Sequence, residues 1–264
     1  MTEDYEYRGL LAETWDLLRG DTSTWPDRPF YRAIIERQGG AALDVGCGAG
    51  RLILDYLDAG LDVDGIDNSP EMLALCRAKA AGLGIDLKDR LHLQEMDRLD
   101  LPRRYAVIFV PSLSFQLVLE PAAAETTMTR FRDHLAPGGV LVLSLKSRLW
   151  ESRPTPRQMQ WSPWFKLAER ERDDGATVRR FIRTMYDHDQ QVEHEENRYQ
   201  ILREGEVVDE EFHSRCPCVR WYSQEQALGL FARAGFTDIR MTAQESDRPA
   251  SPDDNSFKIR GTRP

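Results

Sequence analysis

Glycine alternates with other residues in the segment LDVGCGAGR, which spans residues 43–51. Gly46, Gly48 and Gly50 directly follow a short apolar run and precede a helical pattern. Glycine is needed where a backbone turns tightly and lies against a ligand, because it has no Cβ. A plain strand-to-helix turn explains one such glycine but not three alternating ones. The spacing therefore predicts a loop that holds a ligand.

Two acidic residues follow this loop, each at the predicted end of a strand. Asp67 ends the second strand, where a carboxylate can accept hydrogen bonds from both hydroxyls of a ribose. Asp97 ends the third strand and follows Met96, so it can accept from an adenine amino group while the methionine flanks the ring. The alternatives are that Asp67 only caps the next helix and that Asp97 is a surface acid. Together the two acids favour a nucleoside ligand.

The spacing of the glycines bears on which nucleoside is bound. The dinucleotide fingerprint is GxGxxG, and this chain has Arg51 where that fingerprint needs its third glycine. The sequence also lacks an obvious Tyr-x-x-x-Lys pair. A nicotinamide-dependent oxidoreductase therefore stays an alternative only, as does a non-catalytic protein that keeps the cofactor fold.

The elements that must position these residues alternate between strand and helix over roughly the first 150 residues. A continuously apolar segment such as YAVIFVP is typical of a parallel strand buried on both faces. Ser69 and Pro70 suit the cap and first position of a helix. The pattern predicts an α/β fold with a doubly wound, mainly parallel sheet. Its first strands are predicted at residues 41–46, 61–67, 91–97, 105–111 and 139–145.

The pattern changes after residue 146. Residues 150–175 look irregular, and residues 177–222 read as three strands with short turns, which favours an antiparallel sheet. A helix from Ser223 and two final strands follow. We therefore expect a core of residues 1–149 and 223–264 with an N-terminal helical cap, and an inserted antiparallel β lid at 150–222.

Composition narrows the class of partner. The chain has 264 residues, with 35 Lys and Arg against 44 Asp and Glu and a net charge of −9. Nucleic-acid-binding proteins usually carry a basic face, so we predict no nucleic-acid partner. There is no apolar run of membrane-spanning length and no signal-peptide core, so we predict a cytoplasmic protein without a membrane partner. The five His and four Cys show no metal-site spacing, and we predict no metal.

In order and spacing, LDVGCGAGR, GIDNSPEML, MDRLDL and LAPGGVLVLSL resemble the motifs of class I S-adenosylmethionine-dependent methyltransferases. The similarity covers about residues 41–146, and the two final strands resemble the closing hairpin of that family. The resemblance implies a seven-stranded sheet in the order 3-2-1-4-5-7-6. It also implies S-adenosyl-L-methionine as cofactor and S-adenosyl-L-homocysteine as product.

The resemblance also carries residue roles. It places the three glycines along the methionine moiety and ribose, Asp67 on the ribose hydroxyls and Asp97 on the adenine. Asp44 is expected near the methionine amino group. The full set of predicted cofactor contacts is Tyr7, Trp15, Asp44, Gly46, Cys47, Gly48, Gly50, Arg51, Asp67, Asn68, Met72, Met96, Asp97, Arg98, Pro111 and Ser112.

The methyl acceptor is expected above the carboxyl ends of the strands. Some small-molecule methyltransferases, including amino-sugar N-methyltransferases, look similar in the insert, so we predict transfer to N or O of a small molecule. Trp15 could instead pack a helix onto the core, and the insert could be a dimer interface of a monomer-or-homodimer protein. Predicted substrate contacts are Phe115, Gln116, Trp150 and Arg220. Predicted catalytic residues are Tyr222 and His213, because histidine is a common general base. His213 could instead simply be an exposed residue of a polar strand.

Overall fold

The computed structural model describes residues 7–147, 159–244 and 246–264. The chain packs into two compact units. The larger unit comprises Ser23–Leu149 and Trp221–Pro264, and the smaller unit comprises Met1–Thr22 and Trp150–Arg220.

Helices and strands alternate through the first half of the chain, and strands dominate the second half. The helices are α1 (Gly9–Glu13), α2 (Trp15–Arg19), α3 (Asp27–Gln38), α4 (Ile53–Asp58), α5 (Pro70–Leu83), α6 (Pro121–His134) and α7 (Gln224–Arg233). The strands are β1 (Ala42–Val45), β2 (Val63–Asp67), β3 (Leu91–Leu93), β4 (Tyr105–Val110), β5 (Leu135–Lys146), β6 (Phe165–Glu171), β7 (Thr177–Asp187), β8 (Val192–Arg203), β9 (Glu206–Arg220), β10 (Thr237–Ala243) and β11 (Ser256–Thr262). Two short 3₁₀ helices lie at Met96–Arg98 and Ser114–Leu117.

The larger unit is built on a seven-stranded sheet in the order β10-β11-β5-β4-β1-β2-β3. Strands β1 to β5 pair in parallel, and β11 runs antiparallel to both β5 and β10. This is the predicted α/β architecture, and the predicted strand order is confirmed. Parallel pairing puts the carboxyl ends of β1, β2 and β4 at one edge, so the residues that follow these strands are brought together there.

The core lies on both faces of this sheet because its central strands are apolar on both sides. Phe109 of β4 is fully buried, with Tyr31 of α3 at 5.1 Å and Tyr56 at 6.0 Å between ring centroids. On the other face Phe131 of α6 and Phe231 of α7 are likewise fully buried. Each such side chain stabilises the fold by roughly 1.5–3 kcal/mol through burial.

The helix ends follow the predicted capping chemistry. The Ser69 hydroxyl accepts a hydrogen bond from the Met72 amide at 3.1 Å, and Pro70 occupies the first helical position of α5. At the start of α7, Ser223 and Gln226 form a reciprocal capping box. These caps satisfy backbone donors that the helix itself leaves open.

The smaller unit contains a four-stranded antiparallel sheet in the order β6-β7-β8-β9. The sequence predicted the last three strands but missed β6, whose segment FKLAERE is charged and lies in a stretch rich in Pro and Trp. Backbone pairing with β7 places this strand, and Glu169 of β6 forms partly exposed ion pairs with Arg179 of β7 and with Lys166 of its own strand.

The division of the chain differs from the sequence-based one at the N-terminus. Leu10 and Leu11 of α1 form an apolar cluster with Ala176, Tyr199 and Ile201 of the smaller unit. The N-terminal segment was expected to cap the core, but apolar packing of residues 7–22 groups this segment with the insert. Trp221 and Tyr222, expected in the insert, belong to the larger unit. Among the described residues, no helix has the length and apolar character needed to cross a membrane.

Candidate functional site

The glycine loop connects β1 to α4 in the larger unit. Its three glycines have φ angles of 73°, 54° and 87°, which lie in the left-handed region that favours glycine. A Cβ on Gly50 would lie 2.5 Å from the sulfur of Cys76, and one on Gly46 would lie 2.9 Å from the Ser114 hydroxyl. Both conformation and close packing therefore require glycine at these positions.

Asp67, at the end of β2, connects this loop to the helix that follows. It is buried, and its oxygens accept hydrogen bonds from the backbone amides of Gly48 and Ser69, each at 2.9 Å. Burial raises the pKa of this carboxyl, while the amide hydrogen bonds oppose the rise. A carboxylate has lone pairs beyond these two contacts. Asp67 can therefore hold the loop and still accept from a ligand hydroxyl, and both interpretations of this residue are compatible with the structure.

Asp44, in β1, is a buried acidic residue at this edge of the sheet, and one of its oxygen atoms is unpartnered within the described part of the chain. Its side chain is almost completely buried at 1% exposure, and its Oδ1 atom has no hydrogen-bond partner among the described residues. Burial raises the pKa of Asp44 to about 8, although the charge of Arg51 lowers it. A buried oxygen without a partner points to a donor outside the described residues. An ammonium group is such a donor, so this position fits the amino group of a methionine moiety.

Arg51 lies at the end of the glycine loop and is held by a residue that the sequence did not single out. Its two terminal nitrogens donate to the two oxygens of Asp27, at 2.9 and 2.5 Å. The guanidinium also lies 5.0 Å from the Trp25 ring and 3.4 Å from the Ser112 hydroxyl. Asp27, in the first turn of α3, looks like an ordinary helix-start acid in the sequence, so no sequence signal marks it.

The local structure around the predicted adenine contacts differs from the strand end that the sequence predicts. Strand β3 ends at Leu93, and Met96 and Asp97 lie on a 3₁₀ helix rather than at a strand end. Both are half-buried, and Met96 packs against the core. Arg98 is 79% exposed in its side chain and pairs with Glu95 at 3.1 Å. Its guanidinium is thus directed to solvent, and a cofactor contact by this side chain is not supported.

The other predicted cofactor residues of the larger unit differ in exposure. Cys47 and Met72 are buried beside the loop, and Asn68 is exposed at the turn after β2. Pro111 is buried at the end of β4, whereas Ser112 is exposed with a φ of 54°. Leu113 also has a positive φ, of 69°. Two consecutive non-glycine residues in this region store of order 1–3 kcal/mol each, which is typical of a functional loop.

Two predicted substrate contacts are corrected by the structure. Phe115 and Gln116 are fully buried, because the 3₁₀ helix turns their side chains into the core. Gln116 accepts from the Lys146 amide at 2.7 Å and donates to the Lys146 carbonyl at 3.3 Å, so its amide joins this loop to β5. Phe115 packs against the predicted catalytic Tyr222, with 5.8 Å between ring centroids. Neither Phe115 nor Gln116 presents a surface to an acceptor.

The remaining predicted residues lie in the smaller unit, apart from Trp150, which lies outside the described residues. Tyr7 and Trp15 pack edge to face at 5.0 Å and contact the apolar cluster around Leu10. This packing supports the alternative in which Trp15 is structural.

His213 lies on β9, where its side chain is only 10% exposed. Its Nε2 atom is 3.3 Å from a Glu211 carboxylate oxygen, and its ring packs edge-on against Tyr199 at 5.5 Å. Arg220 donates to the Gln190 carbonyl at 2.7 Å. The roles predicted for His213, Tyr222 and Arg220 in catalysis and acceptor binding stay predictions.

Comparison with known proteins identifies the domain that carries the glycine loop. Residues 42–139 match the family described as a methyltransferase domain. This match begins at β1 and covers the loop, Asp67, Asp97 and the strand after β3.

Two curated relatives each match about half of the chain. A carboxy-S-adenosyl-L-methionine synthase of Wolinella succinogenes is 31% identical over 121 residues, which are 44% of this chain and 48% of that protein. A dTDP-3-amino-3,6-dideoxy-alpha-D-glucopyranose N,N-dimethyltransferase of Streptomyces fradiae is 26% identical over 147 residues, 52% of this chain and 54% of that protein. The match thus spans about half the length of either relative.

A solved structure matches over nearly the whole chain. The S-adenosylmethionine-dependent methyltransferase from Clostridium acetobutylicum superposes with a TM-score of 0.75 at 18% identity, covering 95% of this chain and 96% of that one. The predicted fold is confirmed, and the match over residues 42–139 agrees with the predicted methyltransferase family. Residues 42–139 therefore carry a methyltransferase domain, with its glycine loop, Asp44 and Asp67 at the carboxyl edge of the parallel strands.

Proposed function

We propose that this protein transfers a methyl group from S-adenosylmethionine to a nitrogen or oxygen atom of a small molecule. The observation that carries the proposal is the buried Oδ1 atom of Asp44, which has no partner among the described residues and lies next to the glycine loop. A buried carboxylate oxygen of this kind supports an amino-acid ligand, and the neighbouring Asp67 supports a ribose.

Each residue of this edge has a defined task in the proposal. Asp44 accepts from the ammonium of the methionine moiety, and Asp67 accepts from the ribose hydroxyls while its bond to Gly48 keeps the loop in place. Asp97 and Met96 are the proposed adenine contacts. When bound, the cofactor supplies a methyl group carried on a sulfonium, which is already activated for transfer. The protein's main contribution is therefore to align donor and acceptor.

The choice of a small molecule as acceptor rests on charge and on the relatives. The net charge of −9 disfavours a nucleic-acid substrate. One of the curated relatives is named as an N,N-dimethyltransferase of an amino-sugar nucleotide. An amine acceptor needs the removal of at most one proton, whereas a hydroxyl acceptor depends more on a general base. We propose His213 as that base, supported by its neighbouring Glu211 carboxylate at 3.3 Å.

The nicotinamide-dependent alternative is disfavoured by the surroundings of Arg51. In the dinucleotide fingerprint this position is a glycine that allows close packing of helix and strand. Here its guanidinium is engaged by Asp27, Trp25 and Ser112. The loop is thus built around a large cation at the position where the fingerprint needs a small residue.

Isothermal titration with S-adenosylhomocysteine tests the proposal. We expect micromolar binding to the wild type and its loss in Asp67→Ala. Asp89→Ala, which removes an exposed carboxylate from the same unit, is the matched control and should bind like the wild type. If the wild type binds NADH but not S-adenosylhomocysteine, the proposal is wrong. If the wild type does bind S-adenosylhomocysteine, transfer of label from a labelled methyl donor to pools of amines, hydroxyl compounds and sugar nucleotides would identify the acceptor.

A further inference from the structure

Two buried carboxylates lie near the single guanidinium of Arg51. One is Asp27, which takes both terminal nitrogens of the arginine in a bidentate pair. The other is Asp44, whose pKa is lowered by the charge of Arg51 but whose Oδ1 atom accepts no hydrogen bond within the described residues. The arginine therefore pairs with Asp27, while the Oδ1 atom of Asp44 has no hydrogen-bond partner among the described residues.

Burial makes this choice of partner important. The side chains of Arg51 and Asp27 are 13% and 10% exposed, so water cannot fully solvate the guanidinium if the pair is broken. A buried cation that loses its partner moves to another acceptor or costs several kcal/mol. Asp44, at the other end of the same loop, has the open acceptor atom. A released Arg51 would thus occupy the group that the proposed cofactor needs.

We propose that Asp27 is a positioning residue that holds Arg51 away from Asp44 and so keeps the Asp44 carboxylate open for the cofactor ammonium. This inference rests on the proposed function. It assigns Asp27 an indirect role, since Asp27 acts through Arg51. It also assigns Arg51 no direct contact with the cofactor, in contrast to the expectation from sequence.

Substitution of both partners of the pair separates this role from a purely structural one. Asp27→Asn keeps the size of the side chain and removes its charge. We expect S-adenosylhomocysteine to bind this variant about 10- to 100-fold more weakly, the range spanned by a hydrogen bond to a charged group. In Asp27→Asn/Arg51→Met the competing cation is absent, so most of the lost affinity should return. Arg51→Met alone should bind at least as well as the wild type.

A second ligand reports on the same variants. 5′-Methylthioadenosine is the same nucleoside without the amino-acid part, so it has no ammonium for Asp44. Its affinity should be equal in the wild type and in Asp27→Asn. Glu36→Gln removes a carboxylate from an exposed ion pair on the same helix and is the matched control. Thermal unfolding of every variant without ligand shows whether it is folded.

The outcomes distinguish the two proposals. The inference is supported if Asp27→Asn binds S-adenosylhomocysteine more weakly but binds 5′-methylthioadenosine as tightly as the wild type does. It also requires that adding Arg51→Met restores the affinity for S-adenosylhomocysteine. The inference is wrong if Asp27→Asn loses affinity equally for both ligands, or if adding Arg51→Met restores none of it. It is also wrong if Arg51→Met alone loses as much affinity as Asp27→Asn. In each case, binding by the wild type leaves the proposed function standing. A wild type that binds neither ligand overturns both.

Discussion

Replacing Asp44 by Asn should remove a loss of stability that the wild type undergoes as pH rises from acidic to alkaline values. Burial raises the pKa of Asp44 to about 8 from 3.8, so the folded protein holds a proton at neutral pH that the unfolded chain has released. The free energy of unfolding of the wild type then falls as pH rises between these two values, by about 1.4 kcal/mol per pH unit. Asn cannot ionise, so the variant lacks this dependence.

The magnitude follows from the pH interval. Between pH 5 and pH 8 the stability of Asp44→Asn relative to the wild type should increase by up to about 4 kcal/mol. The new amide adds an offset that does not change with pH. Asp67 keeps its own raised pKa in both proteins and so cancels in the comparison.

Urea unfolding at pH 5, 6.5 and 8 measures this difference directly, with exposed Asp89→Asn as the matched control. The same variant should lose S-adenosylhomocysteine affinity, because Asn presents no charge to an ammonium. If Asp44→Asn and the wild type show the same change in stability between pH 5 and pH 8, Asp44 ionises normally and the reasoning is wrong.

Three further results are expected. Because burial raises the pKa of Asp44 to about 8, its carboxyl is mostly protonated at pH 7, and cofactor binding that ionises it should release most of one proton. Calorimetry in buffers of different ionisation enthalpy measures this release, and equal heats in all buffers would contradict it. Gly50→Ala should lower stability by at least about 1–3 kcal/mol in thermal unfolding, since its φ is 87° and Cys76 leaves no room, and unchanged stability would show that the loop rearranges. Phe115→Leu should lower stability by about 1 kcal/mol or more while leaving the acceptor KM unchanged, and a selective rise in KM would restore its predicted acceptor contact.

The glycine loop and the sheet could be predicted because their physical requirements are local. Gly46, Gly48 and Gly50 have positive φ angles that few other residues adopt, so the loop can be predicted from the spacing of these glycines in the sequence. Strand β4 is apolar or aromatic throughout, and β1 is apolar apart from Asp44, because both faces of these strands are buried. The strand order came from the resemblance of the motifs, since spacing alone does not fix which strands are neighbours.

Features that depend on distant partners were not readable. Strand β6 is mostly half-buried or exposed and is placed by its backbone pairing with β7, so its own sequence shows no apolar alternation. The role of Asp27 becomes visible only through its hydrogen bonds with Arg51, which lies 24 residues further along the chain. Gln116 looks like a loop amide available to a ligand, but it bonds to the backbone of Lys146 in β5.

Both units are completed by segments that are far apart in the order of synthesis. Leu10 packs against Tyr199, so at about 5–20 residues per second the first helix waits roughly 10–40 s for its partner to be translated. In the larger unit, β11 lies between β5 and the earlier-made β10. Neither apolar surface is covered until late in translation, and the nascent chain is exposed to aggregation or chaperone binding during that interval.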